Sequence, residues 1–244
     1  MIILRSLVAA LQFLTILPLP FKTSERDLTA APIWFPMIGA GLGAALGYFY
    51  QWMAGLADAP LAAALTIFLY IILTRGLHLD GLMDTVDGFF SGKDRERILA
   101  IMREPGVGSF AVLTAGIWFL SIYSGLGRLG WLDLLVVHML ARHSILWLPL
   151  FFSYPASQGT GRFFIEQSRK SAIFLGTLFT LLVLFWAGPS YYRYLFVSVA
   201  VSLAGGLWAG RKIGGVTGDV CGLVIEANHV ILIVIMAIVK IHSG

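Results

Sequence analysis

Charge is the scarcest ingredient of this sequence. Only 12% of its 244 residues are Asp, Glu, Lys or Arg, against about 25% in ordinary soluble domains. Cysteine is almost missing: the lone Cys221 excludes an internal disulfide and any cysteine-cluster metal site. No internal repeat and no low-complexity segment is visible. The first apolar run leads into Pro18-Leu19-Pro20 without a small-residue cleavage pattern, so no cleaved signal peptide is expected. What fills the sequence instead is apolar: 58% hydrophobic residues and a mean hydropathy of +0.86. These absences and this excess describe an integral membrane protein. The expected fold is all-α, a polytopic bundle of about seven to eight transmembrane helices. Residues 1–244 read as one integral-membrane polytopic domain. The abundant aromatics need no cofactor, since interfacial belts and lipid contact account for them.

A span needs roughly 20 mainly apolar residues. Seven segments qualify: about 33–54, 61–77, 107–127, 133–152, 172–187, 194–210 and 222–241. Segment 1–18 is interrupted by Arg5 and Gln12, which leaves spanning, re-entrant and interfacial placements open. The basic residues sort by loop. Loops 19–32, 78–106, 153–171 and 211–221 hold 11 Lys and Arg, and the alternate connections hold only Arg128 and Arg193. The positive-inside rule places the basic set in the cytoplasm. It also explains a net charge of +4 without nucleic acid. Lys240 falls on the wrong side of this scheme.

The few acids are clustered. Asp80, Asp84 and Asp87 are spaced i, i+4, i+7, which stacks them on one face of a helix. Like charges so stacked repel unless a cation neutralises them. Oxygen donors suit a hard cation such as Mg2+, which commonly bridges carboxylates to substrate phosphates, and not zinc. The plain alternative is a solvated acidic helix end. His78 adjoins the cluster as a ligand or base. A second acidic site follows Arg211 and Lys212: Gly214-Gly215-Val216-Thr217-Gly218-Asp219, with Glu226 seven residues beyond Asp219. Glycines there let backbone amides approach phosphate. The alternative is a glycine-rich span junction with a neutral Glu226. Arg103 precedes Pro105-Gly106-Val107-Gly108, a candidate anion-binding loop, whereas Arg95 and Arg97 serve equally as membrane anchors. Arg142 falls inside a span and needs a partner, for which Glu226 is the candidate. His138 and His143 read as core histidines, and His229 as a hydrogen-bond partner of Glu226 three residues away.

These residues resemble the cobalamin synthases, also called adenosylcobinamide-GDP ribazoletransferases. The resemblance begins with Leu11-Gln12-Phe13-Leu14-Thr15-Ile16-Leu17-Pro18 and Phe35-Pro36-Met37-Ile38-Gly39. Its strongest part is Asp80-Gly81-Leu82-Met83-Asp84-Thr85-Val86-Asp87-Gly88, followed by Met102-Arg103-Glu104 and Gly108. Ala141-Arg142 and Gly214 to Asp219 complete it. Two departures stand out: Ile16, where arginine is common, and Pro155-Ala156-Ser157, replacing a stretch that often carries arginine. The second weakens any phosphate contact in loop 153–171.

The resemblance implies transfer of adenosylcobinamide phosphate from adenosylcobinamide-GDP to α-ribazole or its 5′-phosphate, with release of GMP. It implies Mg2+ as cofactor, the lipid bilayer as surroundings, no nucleic acid, and a bacterial or archaeal cytoplasmic membrane with the site facing inward. The expected metal ligands are Asp80, Asp84, Asp87 and Asp219. The expected catalytic set adds His78, Arg103 and Arg142, with a carboxylate or His78 taking a proton from the ribazole 5′-hydroxyl. Expected substrate contacts are Gly81, Gly88, Gly215, Thr217, Gly218 and Glu226. A CDP-alcohol phosphotransferase fits less well, because Met83-Asp84 stands where that family has Ala-Arg. The asparagine-aspartate spacing of a polyprenyl transferase is absent. An ion-coupled transporter would use Glu226 and Arg142 as midplane groups.

Overall fold

The computed structural model describes residues 2–155 and 161–243. Among them every regular element is helical: α1 Ile2–Leu14, α2 Glu25–Ala30, α3 Phe35–Leu56, α4 Ala59–Thr74, α5 Leu77–Phe90, α6 Arg95–Ile101, α7 Ser109–Leu126, α8 Trp131–Ser144, α9 Leu148–Phe151, α10 Arg162–Gln167, α11 Lys170–Ala187, α12 Tyr192–Ile213 and α13 Gly218–Ser243. Six helical stretches are long and apolar enough to cross a membrane: Glu25–Leu56, Ser109–Leu126, Trp131–Phe151, Lys170–Ala187, Pro189–Ile213 and Gly218–His242. The pair α4 and α5 passes the same test together but is bent by 90°, which raises the total to seven if it makes one broken span. The all-α polytopic bundle expected from the sequence is thus the fold observed. Segment 1–18 supplies only a 13-residue helix, short of the roughly 20 residues a span needs.

The bend between α4 and α5 has a local cause. Arg75 and Gly76 are both left-handed, with φ of 57° and 63°. Glycine tolerates this conformation and arginine does not favour it. Two such residues in succession stop α4 and restart the chain at a right angle. Arg75 is further held by a bond from Nη2 to the Gln12 carbonyl at 3.2 Å.

Packing is tightest where α3 meets α8. Gly39, Gly43 and Gly47 form one stripe along α3, four residues apart, and lie directly on the α8 backbone at His138, Leu134 and Trp131. Membrane helices lack a hydrophobic drive toward each other, so close backbone approach through small residues supplies the association. A Gly43→Leu substitution should therefore collapse the yield of monodisperse protein in mild detergent, because its Cβ would meet the Leu134 carbonyl. Gly41→Leu, two residues away and facing open space, should leave the elution profile unchanged. Equal behaviour of the two variants would refute this account of the seam.

The loops divide between two ends. At one, Val216 donates to Ser153 O at 2.9 Å, Arg95 Nη2 to Pro155 O at 2.8 Å, Lys212 Nζ to Phe89 O at 3.0 Å and Arg169 N to Thr29 O at 3.2 Å. All four basic-rich loops therefore meet. At the other end Lys240 pairs with Asp133, which also accepts from Tyr191 Oη at 2.8 Å. The apparent exception of Lys240 is a cation paired beside the connections that hold Arg128 and Arg193.

Candidate active site

Helix α5 is two-faced because of its residue spacing. Asp80, Asp84 and Asp87 share one side, with Asp80 exposed and the other two half-buried. His78, Leu82, Thr85 and Phe89 lie on the opposite, buried side. Gly81 and Gly88 flank the acidic ridge. A Cβ on Gly81 would come within 2.9 Å of Asp219 Cα. That contact sets the first turn of α13 against α5 and brings the two acidic motifs together across some 130 residues of sequence. The charges acting on Asp84 are accordingly those of Asp80, Asp219 and Asp87.

Each neighbour of the ridge has a structural reason to be there. Thr217 opens α13: its Oγ1 accepts from Val220 N at 3.3 Å, an N-cap that satisfies an otherwise orphan amide. The same hydroxyl lies 3.4 Å from Asp219 Oδ2. Gly218 is covered by Gly161. Gly214, with φ of 79°, ends α12 in the left-handed turn that favours glycine. Gly215 packs on the Ser153 carbonyl, and Gly88 on Met102 and Ile98. So Gly81, Gly88 and Gly215, expected as substrate contacts, are all occupied by close helix and loop packing. Asp87 uses both carboxylate oxygens at the start of α7, accepting from Gly108 N at 2.6 Å and Ala111 N at 2.9 Å. A carboxylate at a helix N-terminus is stabilised by the dipole and free amides there. Asp87 therefore ties the ridge to α7.

Arg103 stands at the exposed rim and is among the charges acting on Asp219 and on Tyr154. Burial and the nearby Asp219 push the Tyr154 phenol above its ordinary range, so it remains a protonated donor beside the acids. No sequence signal marks Tyr154 among eight tyrosines. Arg97 and Glu104 form an exposed ion pair at 2.7 Å, a contact worth little in water. The second departure noted in the sequence falls partly on Ala156 and Ser157, outside the described residues.

His78, Arg142 and Glu226 belong to a different layer. Arg142 and Glu226 are both 0% exposed, yet they make no direct ion pair. Arg142 Nη1 contacts His229 Nε2 at 2.7 Å and His138 Nδ1 at 3.1 Å, and Nη2 donates to Tyr70 Oη at 3.4 Å. Glu226 accepts from Tyr70 Oη at 2.6 Å and Trp118 Nε1 at 2.8 Å, and meets His229 Nδ1 at 2.9 Å. The direct partnership expected from the sequence is instead a relay through Tyr70 and His229. His78 is buried, and the charges acting on it are Arg142, Glu226 and His229, not the aspartates. Two residues are about 200° on a helix, so its separation from Asp80 already carried that signal. The cavity beside this network is only about 20 Å³, room for about one water.

What the ridge can hold follows from its donors. Among the described residues, Asp80, Asp84, Asp87 and Asp219 form no ion pair with any Lys or Arg. Nor do three His, Cys, Asp or Glu side chains close into a ready-made cage there. Carboxylates with no paired cation and no cage are donors of the kind a hard divalent cation takes when water and substrate phosphate complete its shell, with Asp87 the least free because both its oxygens already accept from α7 amides.

The family model described as cobalamin-5-phosphate synthase matches residues 6–237. An adenosylcobinamide-GDP ribazoletransferase of Chlorobaculum parvum is 36% identical over 230 residues, covering 90% of this chain and 89% of that protein. The enzyme of that name from Chlorobium phaeobacteroides is 37% identical, with 94% and 96% covered. The one from Desulfitobacterium hafniense is 34% identical, with 94% and 95% covered. No solved structure matches the chain. With the match spanning almost every residue and both acidic motifs, the chain belongs to the cobalamin-5-phosphate synthase family.

Proposed function

We propose that this protein transfers adenosylcobinamide phosphate from adenosylcobinamide-GDP to α-ribazole 5′-phosphate or α-ribazole, releasing GMP, late in cobalamin biosynthesis. The observation that carries the proposal is the Gly81–Asp219 contact, which makes one acidic ridge from two motifs. In the reaction an acceptor hydroxyl attacks the phosphorus that bears the cobinamide oxygen. The bond from that phosphorus to the bridging oxygen breaks, and GMP departs with the bridging oxygen. The family is named for a product phosphorylated at the 5 position. An acceptor already esterified there must react through another ribose hydroxyl, not the 5′-hydroxyl expected from the sequence.

Asp80, Asp84, Asp87 and Asp219 would hold Mg2+, which supplies neutralisation of the diphosphate and of the departing GMP. A ridge carboxylate is the base for the acceptor proton, since His78 faces inward. Arg103 and Tyr154 line the rim from which a nucleotide approaches, and offer donors to phosphate oxygens. Arg142 and Glu226 act from below by fixing α13. GMP release requiring both substrates and Mg2+ tests the assignment. Turnover without the acceptor, or substrate uptake into proteoliposomes in place of GMP release, would refute it.

The ridge is proposed to face the cytoplasm of a bacterial or archaeal cell, across its cytoplasmic membrane. The support is the gathering of the basic loops at this end. In a Cys221→Ser background, single cysteines at Lys93 and Arg211, both exposed, should resist an impermeant thiol reagent applied to intact cells and react after lysis. Labelling from outside would reverse the orientation.

A further inference from the structure

A groove of about 680 Å³ is lined by Phe13, Phe35, Phe163 and Phe164 together with Arg75 and Leu77. Nothing in the phosphoryl-transfer chemistry requires it, yet its walls continue into the site. Leu77 begins α5, three residues before Asp80. Phe163 and Phe164 follow Gly161, which packs on Gly218 next to Asp219. Two of its lining segments thus run on along the chain to the ridge, and none of the four acids lines the groove itself.

Its lining has a specific character. The Phe13 and Phe35 rings are stacked, with centroids 6.1 Å apart and planes at 15°. Phe35 and Phe164 are 5.5 Å apart. Phe35 and Phe164 are buried against one another, so the half-exposed rings are Phe13 and Phe163, with Leu28 and Ala31 completing the lining. A second groove, lined by Leu7, Leu11, Trp34, Met37 and Leu73 among others, carries a single aromatic ring against four here. The aromatic groove differs again in its one cation. Arg75 is fixed by a left-handed backbone and by the Gln12 carbonyl, which engages Nη2. A guanidinium has five N–H donors in a planar fork. One is used here, and the others remain available to an anion.

We propose that this groove binds the flat aromatic base of the acceptor nucleoside, with Arg75 receiving its 5′-phosphate. The proposal rests on the functional reading above and assigns the acceptor's place in it. A nucleoside 5′-phosphate is the occupant that matches all three features. Its base stacks on a ring, its phosphate pairs with a guanidinium, and its ribose is left to bridge from the groove to the ridge. Stacking of a base on an aromatic side chain is tolerant of the base's identity, so the groove should accept related lower-ligand bases of similar size.

The test uses full-length protein in phosphatidylcholine nanodiscs. Equilibrium binding of radiolabelled α-ribazole 5′-phosphate, and separately of adenosylcobinamide-GDP, is measured for the wild type and for Phe163→Leu and Arg75→Gln. Leucine keeps the apolar character and loses the ring face, so folding is protected. Phe163→Leu should raise the acceptor Kd by about tenfold and leave the donor Kd within twofold. Arg75→Gln should abolish the preference for phosphorylated over unphosphorylated α-ribazole. An acceptor Kd unchanged in Phe163→Leu, or a donor Kd raised in its place, overturns the groove while wild-type turnover keeps the activity standing. A wild type that neither binds the acceptor nor releases GMP overturns both.

Discussion

Asp84→Asn should lower GMP release by roughly a thousandfold, about 4 kcal/mol of transition-state stabilisation, without destabilising the protein. Asp84 is the member of the ridge on which all the other acids act, Asp80, Asp219 and Asp87 alike. Asparagine keeps the shape and removes the charge. Two effects then oppose one another. Loss of a ligand weakens cation binding, and loss of a like charge relieves repulsion in the metal-free protein. The first governs turnover and the second governs stability, so they separate in measurement. In the absence of Mg2+ the thermal midpoint of Asp84→Asn should equal or exceed that of the wild type. Added Mg2+ should raise the wild-type midpoint by mass action and leave the variant's nearly unmoved. Near-normal turnover at ordinary Mg2+ would remove Asp84 from the metal site. A falling midpoint would show instead that the carboxylate holds the fold together.

The ridge was legible because its information is local. The i, i+4, i+7 spacing fixes one helix face whatever surrounds it. The loop charges likewise sort the basic loops to one end without any knowledge of packing, which leaves the two acidic motifs within reach of each other. The buried layer was legible only in its local contact, His229 with Glu226 three residues away, which is present at 2.9 Å. Its helices are apolar nearly all round, so no moment reveals which face meets which neighbour. The relay from Arg142 to Glu226 passes through Tyr70 on α4 and His229 on α13, and nothing in their spacing to Arg142 announces it. The glycines are ambiguous for a related reason. A glycine that admits a phosphate and one that admits a helix backbone look alike in sequence. Only the contact of Gly81 with Asp219 and of Gly88 with Met102 tells them apart. The bend at Arg75 was hidden because an arginine does not advertise a positive φ.

Arg142→Met and Glu226→Leu should each destabilise the protein strongly, and the double variant should be far less unstable than their sum. Single side-chain hydrogen bonds within membranes are worth about 0.6 kcal/mol on average. Tyr70→Phe, which removes one hydroxyl shared by both residues, should therefore cost about 1 kcal/mol. Removing one charge is a different matter. It leaves the opposite charge buried without compensation, which costs about 3–5 kcal/mol. Replacing both by apolar groups removes the uncompensated charge, so the coupling should reach at least about 2 kcal/mol. Reversible unfolding in mixed micelles gives all four corners of the cycle. Additive losses would mean that Arg142 and Glu226 are stabilised separately by their own hydrogen bonds, and that the relay through Tyr70 and His229 carries no charge pairing. Activity follows by geometry. Gly222, four residues before Glu226, sits on the His78 carbonyl, and Gly81 sits on Asp219. If Arg142 and Glu226 act from below, the double variant recovers stability more fully than turnover, since leucine and methionine fill the volume but no longer fix the rotation of α13 that aims Asp219 at the ridge.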